Sequence, residues 1–244
     1  MEYGLQLYSV RDALRQDYRA TLQAVAALGY KNVETIPVDG VTPGQVRAWC
    51  GELGLRVSGT HTGASALLPD QLEKTIAGHQ EMGCGLLIIP GHDLSTAQKI
   101  EEFAALVNRV QPVLSQAGIT LAYHNHRIEF APNADGQIIY EELLRRTGLR
   151  MQLDICLAYQ AGQDPLAWMD RLGSRLVSLH LKDGHPEGQD CPLGRGAAPV
   201  RAAWEKARAR SVPMVVESET QDPDGITEAR VCMDYLRNLE QEIS

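Results

Sequence analysis

The sequence predicts a (β/α)8 barrel formed by a single domain over residues 1–244. Three observations carry this prediction. Short apolar segments alternate with segments of helical periodicity along the whole chain, glycine follows most of the helical segments, and polar side chains collect where the apolar segments end. Counted in order they make eight strand and helix units, and eight units in a chain of 244 residues fit a closed barrel better than an open sheet.

The first half of the chain contains four of these units. A helix is expected from about Asp17, with Tyr18 and Leu22 on its apolar face and Gly29 at its end. A second helix is expected after Thr42, because an N-cap residue followed by a first-turn proline is typical of a helix start. The predicted strands are residues 4–10, 30–36, 55–61 and 85–90, and the predicted helices begin near residues 17, 42, 69 and 95.

The second half repeats the pattern. Ser95 is expected to cap a long helix that ends before Gly118 and that Pro112 kinks. A glycine-rich loop is expected between residues 184 and 196. The predicted strands are residues 119–124, 149–155, 176–182 and 213–217, and the predicted helices are residues 138–146, 165–172, from about 200, and 226–239.

Composition excludes several classes of partner. A formal charge of -8 without a run of Lys and Arg argues against binding to nucleic acid. The five cysteines are odd in number and form no CxxC pair, which argues against a disulfide framework or a structural zinc site and fits a reducing cytoplasm. The longest apolar runs are far shorter than a membrane span. We therefore expect a cytoplasmic protein that acts without a membrane.

Polar residues fall where predicted strands end, which is where barrel sites form. Read as a strand, residues 176–182 place His180 and Lys182 on one face, although a surface edge strand with a solvated Lys is the alternative. Two of these residues have structural alternatives, because Asp154 could cap a helix and His180 could be a hydrogen-bonded core histidine. Glu217 is harder to explain in this way, since a carboxylate at the end of an apolar strand needs a hydrogen-bonding or charged partner. The strand-end set is His61, His124, His126, Glu129, Asp154, His180, Lys182, Asp183, Glu217 and Glu219. One imidazole with three carboxylates would suit one Mn²⁺ or Mg²⁺ ion, with Co²⁺ or Zn²⁺ also compatible.

These segments resemble the xylose isomerase-like TIM barrels, in particular the sugar phosphate isomerase/epimerase family. The resemblance is carried by LQLYSVRD at residues 5–12, YHNHRIEF at 123–130, LD at 153–154, HLKD at 180–183 and VE at 216–217. It implies one divalent metal ion held by Glu, Asp, His and Glu, which falls on Asp154, His180 and Glu217. Many relatives have Glu where this chain has His124, so Glu129 is expected as the fourth ligand, with the exchange of these two roles left open.

The resemblance implies an isomerase or epimerase that removes a proton next to a carbonyl of a sugar or sugar derivative and forms an enediolate. Glu217 or Glu129 would take the proton, Lys182 would stabilise the oxyanion, and His124 or His126 would return the proton. His61 and His126 are expected to contact the substrate. The alternatives are a dehydratase or lyase acting on a keto-sugar or keto-inositol, and a non-catalytic sugar-binding barrel. The partner is a small-molecule carbohydrate, and assembly as a homodimer stays open.

Overall fold

The computed structural model describes residues 1–243, which form a closed barrel of eight parallel strands with helices around it. The strands are β1 (Gly4–Gln6), β2 (Asn32–Thr35), β3 (Arg56–His61), β4 (Leu86–Ile89), β5 (Thr120–His124), β6 (Arg150–Asp154), β7 (Leu176–Leu181), β8 (Asp183–Gly184), β9 (Asp190–Cys191) and β10 (Met214–Val216). β1 pairs with β2 and β10 and so closes the barrel, while β8 and β9 form a separate two-stranded antiparallel sheet. The predicted fold is confirmed. The prediction that the domain extends to residue 244 includes Ser244, which lies outside the described residues.

The helices follow the strands as the alternating pattern predicts. They are α1 (Arg11–Gln16), α2 (Tyr18–Leu28), α3 (Pro43–Glu52), α4 (Leu72–Met82), α5 (Ala97–Gln116), α6 (Ile139–Arg146), α7 (Ile155–Gln160), α8 (Pro165–Leu172), α9 (Val200–Arg210) and α10 (Gly225–Glu242). None of the helices formed by residues 1–243 combines the length and the apolar character that crossing a membrane requires.

Helix starts agree with the sequence at α3 and differ at α5. Thr42 caps α3 and forms a capping box with Gln45. The N-cap of α5 is Thr96, whose hydroxyl accepts the Lys99 backbone N–H, and the expectation of Ser95 is wrong by one residue. Ser95 instead accepts a hydrogen bond from the Lys99 ammonium group, because its side chain lies outside the first turn.

Two predicted strands end early because a side chain turns the backbone into a helix. The Gln6 amide oxygen accepts the N–H of Tyr8, so β1 ends at Gln6 and a short 3-10 helix (Leu7–Val10) replaces the rest of the predicted strand. Asp154 accepts the N–H of Leu157, so α7 begins at Ile155 directly after β6.

The barrel has an apolar outer layer and a polar interior. Strand residues such as Leu153, Leu179 and Val216 belong to the buried apolar cluster that includes residues of the surrounding helices. Alternate residues of the same strands are polar and buried, namely Gln6, Glu34, Gln152, Ser178 and His180. These interior residues form the floor on which the candidate site lies.

Candidate functional site

Four buried side chains meet at the carboxyl ends of neighbouring barrel strands. His124 ends β5, Asp154 ends β6, His180 lies in β7, and Glu217 follows β10. One ligand atom from each of the four lies within 4.8 Å of the others. Asp154 pairs with His180 in the β6–β7 register, so the two side chains stand at the same level of the barrel. The structure therefore brings together three of the four residues expected to hold a metal ion.

Glu129, the fourth expected ligand, lies elsewhere. Its Oε1 accepts the Tyr123 hydroxyl at 2.8 Å, and its Oε2 accepts the His126 backbone N–H at 2.7 Å. These two hydrogen bonds hold the Glu129 side chain, which belongs to a short 3-10 turn (Ile128–Phe130) just after β5, against Tyr123 and the His126 backbone. His124 takes part in the cluster instead. Glu129 thus holds the backbone at His126, and of the two residues it is His124 that has a ring nitrogen in the cluster.

His180 lies between two carboxylates. Its Nδ1 is 3.1 Å from Glu217 Oε2, and its Nε2 is 2.7 Å from Glu34 Oε1. Burial lowers the pKa of His180, but Glu34 and Glu217 outweigh burial and raise the pKa to about 10. Burial likewise opposes ionisation of Glu217, yet His180 and Lys182 hold its pKa well below the ordinary value. Glu217 is therefore a carboxylate at neutral pH.

Glu34 is a residue of this site that the strand-end reasoning missed. It lies inside β2 and is 1 % exposed. Its Oε1 accepts Gln6 Nε2 at 2.7 Å and lies 2.9 Å from His61 Nε2, in addition to its contact with His180. The usable signal was a carboxylate inside a predicted buried strand, which needs a partner as much as Glu217 does.

Gln152 orients two histidine rings from the barrel interior. Its Nε2 donates to Glu34 Oε2 at 2.7 Å and to Ser178 Oγ at 3.0 Å, so its Oε1 must act as the acceptor for the rings. That oxygen lies 2.9 Å from His61 Nε2 and 3.1 Å from His124 Nδ1. Burial, together with His180 and His61, lowers the pKa of His124 far below its ordinary value. His124 is therefore neutral, protonated on Nδ1, and its Nε2 carries a free lone pair.

Asp154 provides the most direct evidence that this cluster can bind a cation. Its Oδ1 accepts the Leu157 N–H at 2.8 Å, whereas its Oδ2 is buried and has no hydrogen-bond partner in the part of the chain that the structure describes. Burial raises the pKa of Asp154 to about 7, against the opposing charge of Lys182. A buried carboxylate oxygen without a partner requires a proton or a cation. Together with the histidine nitrogens and Glu217 it forms a donor set that fits a divalent metal ion.

Lys182 carries a buried positive charge beside this cluster. It is 1 % exposed and forms an ion pair with Glu219, and its Nζ lies 3.2 Å from Asp190 Oδ2 and 3.9 Å from Glu217 Oε2. Burial lowers the pKa of Lys182, but these carboxylates outweigh burial and raise it above the ordinary value. The ammonium group therefore keeps its charge.

Asp183, the next residue, holds a loop instead of facing the cluster. Its carboxylate accepts four backbone N–H groups, from Gly184, Gly194, Gly196 and Ala198, at 2.8 to 3.2 Å. A Cβ atom at position 196 would lie only 2.3 Å from Asp183 Oδ1, so glycine is required there. This residue fixes the glycine-rich loop beside the site.

Two cavities open above the cluster. The first, of about 480 Å³, is lined by residues that include His61, His124, His126 and Glu217, and we call it the central cavity. The second, of about 680 Å³, is lined by residues that include His126, Lys182, Asp190 and Glu219. The His61 ring stacks on the His180 ring with centroids 5.4 Å apart, and the exposed His126 ring meets His124 edge-on at 5.1 Å. Both residues expected to contact substrate thus line a cavity.

Comparison with known proteins identifies a family for the chain and agrees with its fold. The family model described as xylose isomerase-like TIM barrel matches residues 22–239. A sugar phosphate isomerase/epimerase from Parabacteroides distasonis ATCC 8503 has a similar structure, with TM-score 0.84, 23% identity, and coverage of 97% of each chain. The probable 3-DHS dehydratase AsbF from Bacillus anthracis gives TM-score 0.75 at 13% identity, over 97% of this chain and 99% of that one. An L-ribulose 3-epimerase gives TM-score 0.71 at 15% identity, over 100% of this chain and 97% of that one. No curated protein matches the sequence significantly.

Proposed function

The chain belongs to the xylose isomerase-like TIM barrel family, and we propose that it is a metal-dependent isomerase or epimerase of a sugar or sugar derivative. The observation that carries the proposal is the unpartnered Asp154 Oδ2 inside a cluster of two histidines and two carboxylates at the mouth of the barrel. The isomerase, epimerase and dehydratase names of similar structures support an enzyme.

We assign Asp154, His180, Glu217 and His124 as the residues that would hold one divalent ion. Two imidazole nitrogens in the set favour manganese, cobalt or zinc over magnesium. Such an ion, when bound, supplies Lewis-acid polarisation of a substrate carbonyl, which makes the neighbouring C–H acidic. Glu34 keeps Nε2 of His180 engaged, so Nδ1, which faces Glu217, is the nitrogen that would lose its proton and bind such an ion.

The side chains around the cluster have the charges that proton transfer next to a carbonyl requires. Glu217 is ionised and lines the central cavity, so we assign it the removal of the proton. Lys182 is buried and charged 3.9 Å from Glu217, so it can stabilise the oxygen charge of the enediolate. His126 is exposed at the mouth and can return the proton. In this assignment Glu129 positions His126 by accepting a hydrogen bond from the His126 backbone N–H.

Solvent deuterium exchange tests the proposal. The metal-free protein is loaded separately with Mn²⁺, Co²⁺, Zn²⁺ or Mg²⁺ and incubated in D₂O with a panel of ketopentoses, ketohexoses and their phosphates. We expect deuterium at the carbon next to the carbonyl, detected by NMR, with at least one sugar. His180→Ala should lose both bound metal and exchange, whereas Lys182→Met should keep its metal and lose most of the exchange. His92→Ala, at an exposed histidine that lines neither cavity above the cluster, is the control.

The same experiment separates the alternatives. A dehydratase or lyase uses the same proton removal but expels water or an alcohol, so a mass spectrum of the products would show that loss. A sugar-binding barrel without activity would bind metal and sugar and exchange nothing. Full metal occupancy in His180→Ala, measured by elemental analysis, would show that the assigned ligand set is wrong.

A further inference from the structure

A further cavity lies beside the central cavity, between α3 and α4 and the loops that precede them. It has a volume of about 310 Å³, and we call it the side cavity. Ile36, Pro37 and His61 line both the side cavity and the central cavity. The His61 ring centroid lies 5.4 Å from that of His180 and 5.2 Å from that of His124. The side cavity therefore begins one side chain away from the residues assigned to the metal ion.

The walls of the side cavity are largely apolar. Val38 and Val41 come from the loop between β2 and α3, Val46 from α3, and Met82 from α4. Val38, Val41 and Met82 are only partly buried although they pack against the core. A concave apolar surface with half-covered aliphatic side chains is typical of a ligand pocket, and its volume lies at the lower end of the range for such pockets, about 300 to 1,000 Å³.

Several polar groups in these walls are already paired, and the exception is the Tyr18 hydroxyl, which is buried and has no hydrogen-bond partner within residues 1–243. His79 Nε2 lies 3.0 Å from Thr60 Oγ1, and His79 Nδ1 lies 3.0 Å from the Cys84 carbonyl oxygen. Burial lowers the pKa of His79, so its ring is neutral. The Thr75 hydroxyl donates to the Ala66 carbonyl at 2.8 Å. Among residues 1–243, Lys74 is the one Lys, Arg, Asp or Glu that lines the cavity, and its side chain is exposed to solvent. The interior thus offers mainly apolar contact surface, with the Tyr18 hydroxyl as a hydrogen-bonding group.

We propose that the side cavity binds an apolar substituent, such as a phenyl or short alkyl group, on the substrate whose sugar part occupies the central cavity. The assignment of the sugar part rests on the proposed function; the assignment of the apolar part rests on the walls of the side cavity. A substituent next to the reacting ring would pass His61 and replace water against Val38, Val41 and Met82. The preferred substrate is then a sugar derivative that carries an apolar group, and the corresponding free sugar would bind more weakly at the same centre.

Binding of two glucosides tests this proposal without any turnover. Phenyl β-D-glucopyranoside and methyl β-D-glucopyranoside share the sugar ring and differ in the substituent. We expect the phenyl compound to bind about tenfold more tightly or better, because its additional carbons leave water. It should also shift the NMR signal of the Met82 methyl group, which lies in the cavity wall.

Filling the side cavity should remove this preference. A Cβ atom at Gly78 of α4 would lie 3.4 Å from Pro43 Cγ, so the ring of Gly78→Phe extends into the space between the two helices. Gly78→Phe should bind both glucosides equally. Ala77→Phe, at an exposed position of the same helix outside the cavity, should keep the preference. Val41→Trp, in the loop, gives a second filled cavity if Gly78→Phe does not fold.

Equal affinity of the unmodified protein for the two glucosides, or a Met82 signal that moves no more with phenyl than with methyl, would overturn the proposal. A preference that survives in both filled variants would overturn it as well. The result is separate from that of deuterium exchange. Exchange without a phenyl preference would remove this inference alone, and a phenyl preference without exchange would remove the proposed reaction alone.

Discussion

Replacing Glu34 by Gln should weaken both the fold and the metal site. The Glu34 carboxylate is 1 % exposed and accepts from Gln6, Gln152, His61 and His180 over distances of 2.7 to 2.9 Å. Gln has the same volume, but it removes the charge and replaces one acceptor oxygen by a donor group. At least one of these buried donors then loses its acceptor, and the raised pKa of His180 loses its main support.

The size of the effect follows from these contacts. Removing one partner of a buried charged pair costs roughly 3–5 kcal/mol of unfolding free energy. That loss lies below the roughly 5–15 kcal/mol of a typical domain, so Glu34→Gln should still fold. A hydrogen-bonded carboxylate behind a metal-bound histidine commonly contributes 10–100-fold to metal affinity, so Mn²⁺ should bind roughly 10–100-fold more weakly.

Two measurements check this prediction. Urea unfolding of the metal-free protein, followed by far-UV circular dichroism, gives the free energy of unfolding, and calorimetric titration with Mn²⁺ gives the affinity. Glu73→Gln, at an exposed position of α4, is the control for loss of one carboxylate and should change neither. Unchanged Mn²⁺ affinity in a destabilised Glu34→Gln variant would refute the idea that Glu34 orients His180 for a metal ion.

Three further predictions concern the loop at Asp183, the buried His79 and the cysteines. Asp183→Ala leaves four backbone N–H groups without their acceptor and should lower the free energy of unfolding by roughly 2–4 kcal/mol. Limited proteolysis between residues 184 and 196 should be faster than in the parent protein, and an unchanged cleavage rate would contradict this. Burial lowers the pKa of His79 from 6.5, so the unfolded chain binds more protons at this residue, and the free energy of unfolding should fall as the pH falls through about 6.5. His79→Gln should flatten this part of the curve of unfolding free energy against pH. An identical curve for the variant would contradict the prediction. Burial raises the pKa of all five thiols, so Ellman's reagent at pH 8 should react slowly with the folded protein and rapidly once urea is added. Cys191, the least buried of the five, should react first. Rapid reaction of one thiol per molecule in the folded protein would contradict this prediction.

The repeat of strands and helices was readable from the sequence because burial imposes a period on it. Apolar runs such as Leu86–Ile89 and capped helices such as Pro43–Glu52 appear in the structure close to where they were expected. Where a predicted strand was too long, a hydrogen bond from a local side chain to the backbone explains the difference. Gln6 and Asp154 each turn the chain into a helix one or more residues before apolar periodicity would end the strand.

The candidate site was partly readable for a related reason. The carboxyl ends of the strands lie at one end of any closed parallel barrel, so Asp154, His180 and Glu217 could be expected there from their positions in the predicted strands, and the alternation of side chains along a strand added that His180 and Lys182 share a face. Whether the side chain of Glu129 or that of His124 lies in the cluster depends on the orientation of the turn after β5. That direction is set by the hydrogen bond from Tyr123, which the sequence does not reveal. Glu34 was not included among the strand-end residues, although it lies one residue before the end of β2, just as His180 lies one residue before the end of β7.

His61 belongs at once to the hydrogen-bonded floor, through Glu34 and Gln152, and to the wall that the two neighbouring cavities share. A substitution at that position would therefore disturb the candidate metal cluster and the shape of both cavities at the same time. The segments at residues 36–41 and 62–71 also contribute to the wall of the side cavity and contain no residue of the cluster, so the shape of that cavity can be varied there without replacing a cluster residue.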